Sequence, residues 1–280
     1  MKAYTLGLYE KAMPGELSWR EKLDYAGRLG FDALEISIDE TDAKLARLDW
    51  TAAQRHELLS VMAESGVPIR TMCLSGHRKY PLGASDPAVC QRGLEIMKKA
   101  IDLADDLGIR IIQLAGYDVY YEDSTSDTRA RFEENLARSV RMAASAGVML
   151  AFETMETEFM NTVSKAMRYV DFIRSPYLAI YPDSGNLTNA AAAYGDDVCE
   201  DLRTGAGRIA TLHLKETVPG KFREIPFGQG HVDFEAVIRT AWELGVRKYT
   251  AECWYTGSPD WRKDLVYARQ LLGGILDVQS

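Results

Sequence analysis

Residues 145–155, SAGVMLAFETM, carry a helix ending, a glycine, a β-rich run and an acid in one short stretch. Ser145-Ala146-Gly147 reads as a helix closed by a left-handed glycine. The run that follows reads as a strand in which Leu150 and Phe152 take one face and Glu153 the other, because side chains on a strand alternate sides. The same design recurs in YLAIYPDSG with Asp183, IATLHLKE with His213 and KYTAECWY with Glu252. Leu178 and Ile180, Leu212 and Leu214, and Ala251 and Cys253 hold the apolar parity of those runs. If the four are successive strands of one closed barrel, the apolar parity packs against surrounding helices and the four polar side chains converge near the strands' C-terminal ends. Catalytic groups of that architecture sit there.

Working outward, strand-like runs recur at 3–9, 33–38, 69–74, 109–115, 148–155, 177–183, 209–215 and 248–254, with helical patterns between them. Gly30, Gly66, Gly108, Gly147 and Gly245 each stand just before such a run, as helix-closing glycines do. Ser18 with Glu21, and Asp86 before Pro87, mark helix starts. The alanine-rich NAAAAYG around Ala190 reads as a helix start. No linker or low-complexity segment divides the chain. The expectation is a single (β/α)8 barrel domain over residues 1–280, with its longest loops at 38–50, 75–86, 116–127 and 216–233 over the mouth.

At 46% hydrophobic and 26% charged, the chain has the make-up of an ordinary globular protein able to bury a full core. A net charge of −8 argues against a nucleic-acid partner, though not against a local positive pocket. Cys73, Cys90, Cys199 and Cys253 form no C-x-x-C pair and read as reduced and structural. There is no membrane-length apolar run and no secretory leader pattern, so a cytoplasmic location and no membrane partner are expected.

Taken one at a time, each of the four polar strand-end residues has a bland explanation: a loop ion pair, or a hydrogen-bonded histidine. Together they do not, since three carboxylates brought to one place without a cation repel. Three oxygen donors and one nitrogen suit one divalent cation, with Mn²⁺, Co²⁺, Zn²⁺ and Mg²⁺ all open, and leave room for substrate oxygens. Such a cation polarises a carbonyl.

The segments AFETMET, IYPDSGN, LHLKET, FREIPFGQGHVDF and AECW, with the earlier LGLYEKAMP and CLSGHRKYPLG, resemble the sugar-phosphate 3-epimerases of the xylose-isomerase-like barrel superfamily, above all the L-ribulose-5-phosphate 3-epimerases. The resemblance runs nearly end to end. It implies that Glu153, Asp183, His213 and Glu252 bind the metal, and that Glu153 and Glu252 are also the acid/base pair inverting C3 of a ketose phosphate through an enediolate. One base on each face of a planar intermediate is the simplest way to invert a centre. Free-sugar epimerases of the superfamily often carry a histidine where this chain has Asn186, which favours a phosphorylated substrate such as L-ribulose 5-phosphate or L-xylulose 5-phosphate.

For the phosphate, the candidates are Ser75, Gly76, His77, Arg78 and Lys79 after the third strand and Lys215 after the seventh, since Arg and Lys beside a glycine-containing turn can surround an anion. Lys221 and Arg223 read at least as well as solvated surface. His56 reads as exposed and His231 as a loop-packing residue. Tyr9, Trp19, Tyr117 and Trp254 are candidates for pocket walls, with barrel core as the alternative. A homo-oligomer, dimer or tetramer, is expected. An aldose–ketose isomerase is the nearest competing reading. A DNA-repair endonuclease would need more ligands and a basic face, and a non-catalytic sugar- or metal-binding barrel would have no use for both glutamates.

Overall fold

The computed structural model describes residues 3–280. Eight strands run β1 Thr5–Tyr9, β2 Ala33–Ser37, β3 Ile69–Leu74, β4 Ile111–Ala115, β5 Met149–Glu153, β6 Leu178–Tyr181, β7 Leu212–Lys215 and β8 Lys248–Glu252. Each falls within the run expected for it. Around them lie helices α1 Trp19–Arg28, α2 Asp42–Leu45, α3 Ala52–Ser65, α4 Pro87–Asp106, α5 Ser126–Ser145, α6 Val163–Ile173, α7 Ser184–Tyr194, α8 Val198–Thr204, α9 Phe234–Glu243 and α10 Trp261–Val278.

All strand pairs are parallel, in the order β6-β5-β4-β3-β2-β1-β8-β7. The seam between β6 and β7 is closed by bridges Ile180–Ile209 and Asp183–His213, with the His213 amide donating to the Pro182 carbonyl at 2.8 Å. The result is the (β/α)8 barrel.

Alternation sorts the side chains as the sequence implies. Leu150, Phe152, Leu178, Ile180, Leu212, Leu214 and Ala251 join the main core between barrel and helices. The opposite parity fills the barrel interior with Ile111, Ala151, Ala179 and Tyr181 below the polar mouth. On the helix side, α5 presents Phe132, Leu136, Val140 and Ala143, spaced to form one stripe, to this core.

The expected caps are present. Ser18 and Glu21 form a reciprocal capping box, Asp86 caps Ala88 ahead of Pro87, and the five helix-closing glycines all adopt positive φ. One expectation is corrected: NAAAAYG is the end of α7, closed by Gly195, and the helix starts earlier at the cap Asp183. The polar Ser-Gly-Asn-Leu-Thr opening hides the start because the capping carboxylate, rather than alanine propensity, nucleates it.

Candidate active site

Glu153 ends β5 and Glu252 ends β8, His213 lies within β7, and Asp183 stands two residues past β6 as the N-cap of α7. All four are buried, and each offers one ligand atom within 4.8 Å of the others. His213 Nδ1 lies 3.0 Å from Glu252 Oε2, 3.7 Å from Glu153 Oε1 and 3.9 Å from Asp183 Oδ2.

The roles of the Asp183 oxygens are already divided. Oδ1 accepts the Asn186 amide at 2.6 Å and faces Lys215 Nζ at 3.1 Å, whereas Oδ2 is buried without a hydrogen-bond donor. Glu252 Oε2 is buried without a hydrogen bond as well. Two such oxygens aimed at a shared imidazole nitrogen fit a cation, because unpartnered buried carboxylate oxygens are costly. Metal–ligand distances near 2.0–2.2 Å put opposite ligands about 4.4 Å apart, so a small contraction completes the shell. The donor set fits a divalent cation.

The electrostatics carry the same message. Burial, with Glu252 nearby, lifts the Glu153 carboxyl above its usual range, and burial lifts Asp183 well above despite Lys215. For Glu252, burial is outweighed by Lys215 and His213, and its carboxyl is held well below the usual range. Burial works against the His213 imidazolium, yet the charges led by Glu35 hold it well above the ordinary value. Without a cation, the cage keeps protons to offset like charges, and a cation would replace them.

Above the cage opens a cavity of about 110 Å³ lined by Tyr9, Lys11, Ser75, Arg78, Glu153, Glu156, Asn186, Lys215, Arg223, Glu252 and Trp254, among others. Of the loop after β3, only Ser75 and Arg78 reach it. Gly76 packs its backbone on the preceding loop, its amide donating to the Ile38 carbonyl at 2.9 Å. His77 is buried away from it, donating Nε2–H to the Gly93 carbonyl at 3.0 Å, and Lys79 is exposed over the Tyr80 ring. The compact Gly-His-Arg-Lys cluster of the sequence is therefore dispersed, because the loop forms a 3₁₀ turn, Ser75–Arg78, whose side chains fan out.

Lys215 and Asn186 do face the cavity, but they are tied to each other. Lys215 Nζ donates to Asn186 Oδ1 at 2.8 Å, and Asn186 Nδ2 donates to the Thr154 carbonyl at 2.7 Å. Arg223, equally readable as surface, lines the cavity and pairs with Glu156 at 3.0 Å. Lys221 and His56 are exposed, and His231 packs against Thr217. Tyr9 and Trp254 are walls, with ring centroids 6.2 Å apart. Trp19 packs on Trp50, and Tyr117 packs on Tyr120.

The glycines of DSG and PFGQG hold this arrangement. A Cβ on Gly185 would lie 2.5 Å from Thr217 Cγ2, so glycine lets the start of α7 close onto β7. Buried Glu216 gathers the amides of Gly228 and Val232 at 3.0 and 3.2 Å and wraps the PFGQG turn around itself. Three participants were not singled out from the sequence. Lys11 lines the cavity, Gln113 Nε2 stands 3.0 Å from His213 Nδ1, and Glu35 Oε1 stands 2.7 Å from His213 Nε2. Glu35 and Gln113 did leave a signal: each is a polar residue of inward parity inside an apolar strand, in ALEIS and IIQLA.

Comparison with known proteins gives the chain its family. Residues 23–271 match the family described as xylose isomerase-like TIM barrel. The L-ribulose-5-phosphate 3-epimerases UlaE of Salmonella paratyphi A and Salmonella paratyphi C are each 50% identical over 254 residues, 90% of this chain and 88% of theirs. Among solved structures, a D-psicose 3-epimerase from Clostridium cellulolyticum superposes with a TM-score of 0.81 at 16% identity, covering 97% of this chain and 99% of that one. A structure of an L-ribulose 3-epimerase gives 0.79 at 20%, covering 99% and 95%. The distant structures speak to fold and the UlaE proteins to kinship: the chain belongs to the xylose isomerase-like TIM-barrel family and, within it, to the group of the L-ribulose-5-phosphate 3-epimerases.

Proposed function

We propose that this chain interconverts L-ribulose 5-phosphate and L-xylulose 5-phosphate by inverting C3. The observation that carries the reading is the buried Glu153–Asp183–His213–Glu252 cage with two carboxylate oxygens lacking donors, in a chain half identical to proteins named for that reaction. A divalent cation held there, with Mn²⁺, Co²⁺, Zn²⁺ and Mg²⁺ as candidates, would polarise the ketose carbonyl and ease loss of the C3 proton.

The protein's part is proton traffic and placement. Glu153 and Glu252 stand on β5 and β8, three strands apart round an eight-stranded ring, which supports a pair of bases that work on opposite faces of the ligand. One removes the C3 proton and the other returns a proton to the opposite face of the planar enediolate. Lys215, fixed by Asp183 and Asn186, places an ammonium beside Glu252 at 3.8 Å and keeps that carboxylate ionised.

For the phosphate we assign Ser75, Arg78, Arg223 and Lys11, which are among the groups that line the cavity. Arg78 supports this best, since its Nε is buried without an acceptor. The phosphorylated substrate and the four free cysteines support a cytoplasmic setting.

The reading is tested by supplying cation-loaded protein with L-ribulose 5-phosphate. L-Xylulose 5-phosphate should form, be lost with a chelator and return with added cation. An aldose phosphate as product would make the protein an isomerase, and absence of turnover would leave a binding protein.

A further inference from the structure

Glu35 lies in the middle of β2, with no solvent exposure, and its neighbours on the strand, Leu34 and Ile36, turn outward into the core. An acid at such a place must be hydrogen-bonded or paired. Its Oε1 meets His213 Nε2 at 2.7 Å, and its Oε2 accepts the Tyr181 hydroxyl at 2.9 Å. Tyr181, also fully buried, shares a further 2.7 Å hydrogen bond with Thr250 Oγ1. Thr250 in turn borders a separate cavity of about 290 Å³ at the N-terminal end of the barrel. A line of groups, Thr250–Tyr181–Glu35–His213, therefore runs up the barrel interior to the cage.

We infer that Glu35 is the positioning residue of the cation site: it holds His213 through Nε2–H and so turns Nδ1 toward Glu153, Asp183 and Glu252. Both ring nitrogens face carboxylates, but only Nδ1 faces the cage. Nε2 faces a carboxylate, which only accepts, so Nε2 carries hydrogen. Nδ1 is the nitrogen within 3.0–3.9 Å of all three cage carboxylates. Gln113 Nε2 stands 3.0 Å from Nδ1. A carboxylate on the far nitrogen fixes the tautomer and ring orientation and makes the near nitrogen a stronger ligand. Tyr181 then fixes Glu35, because without it the carboxylate could rotate about its own axis. The inference rests on the cation site and not on which sugar the enzyme turns over.

The test uses protein labelled with ¹⁵N-histidine, free and loaded with Zn²⁺, and the resonance missing in His213→Ala identifies the ring. In the loaded protein Nε2 should carry hydrogen and Nδ1 should be the nitrogen on the metal, having given up any proton that the cation-free cage leaves on it. A loaded protein that binds Zn²⁺ through Nε2, or keeps hydrogen on Nδ1, would overturn the inference on the wild-type protein alone. Zn²⁺ affinity by competition with a coloured chelator should fall 10- to 100-fold in Glu35→Gln, and by a smaller factor in Tyr181→Phe. A folded Glu35→Gln protein within threefold of wild type would contradict it. Should that variant not fold, the wild-type spectrum and Tyr181→Phe decide. A chain that binds Zn²⁺ as described yet inverts no ketose would keep this inference and remove the epimerase reading.

Discussion

His77 and Arg78 are adjacent in the chain and do opposite things. His77 is buried, with its Nε2–H on the Gly93 carbonyl, and burial pushes its imidazolium down to about 4. A histidine whose folded value lies below the unfolded one near 6.5 stabilises the protein fully above about pH 6.5. That contribution is lost as pH falls through the folded value, because the unfolded chain takes up the proton first. Between pH 7 and 4.5 the loss is of order 2–3 kcal/mol. Urea unfolding of wild type and His77→Gln should show the variant losing less stability over that interval, and parallel losses would refute the burial argument. Arg78, by contrast, faces the cavity, so Arg78→Ala should raise KM for a ketose phosphate at least tenfold, more than for the free ketose, while exposed Lys79→Ala should change neither by more than twofold. Equal effects from both variants would return the phosphate to a diffuse charged surface. The four cage residues were legible because each lies in or just past a β-rich run on the polar parity. The loop was not, because sequence adjacency says nothing about which way a 3₁₀ turn aims its side chains.

The strands were the most legible elements, since apolar alternation bounded by a glycine or a helix pattern marks both their place and their inward face. Their ends were less so. The sixth run was read through Asp183, whereas β6 stops at Tyr181 and Asp183 turns into a helix cap, one oxygen on the α7 amide and the other toward the cage. A capping role and a ligand role in one residue look alike in sequence. The PFGQG turn is the element whose purpose needed the structure: it encloses Glu216, and a Cβ on Gly230 would fall 2.1 Å from the Thr217 carbonyl oxygen and 2.2 Å from Glu216 Oε1. Gly230→Ala should therefore cost about 1–3 kcal/mol of stability as an overpacked site, and should raise KM by shifting the segment that carries Arg223. Chemical denaturation and steady-state kinetics on the variant check both. A neutral outcome would mean that the loop re-forms without harm.

At the scale of the whole molecule, the barrel closes where the chemistry is. The β6–β7 seam is the one place among the described residues where neighbouring strands are joined by single bridges, and one of those bridges pairs Asp183 with His213. Two of the cage residues thus sit at the closure of the ring, and β5 and β8 bring the two glutamates from either side of the seam. The net charge of −8, and the absence among the described residues of a helix long and apolar enough to cross a membrane, fit such an enzyme without specifying it. The most direct test is turnover of L-ribulose 5-phosphate in D₂O by the cation-loaded protein, read by NMR of the products. With a base on each face, deuterium should appear at C3 of the L-xylulose 5-phosphate formed. Glu153→Gln and Glu252→Gln should each abolish inversion while the remaining glutamate still exchanges the C3 proton of unreacted substrate. Deuterium at C1 with an aldose phosphate as product, or inversion without solvent label at C3, would contradict the account.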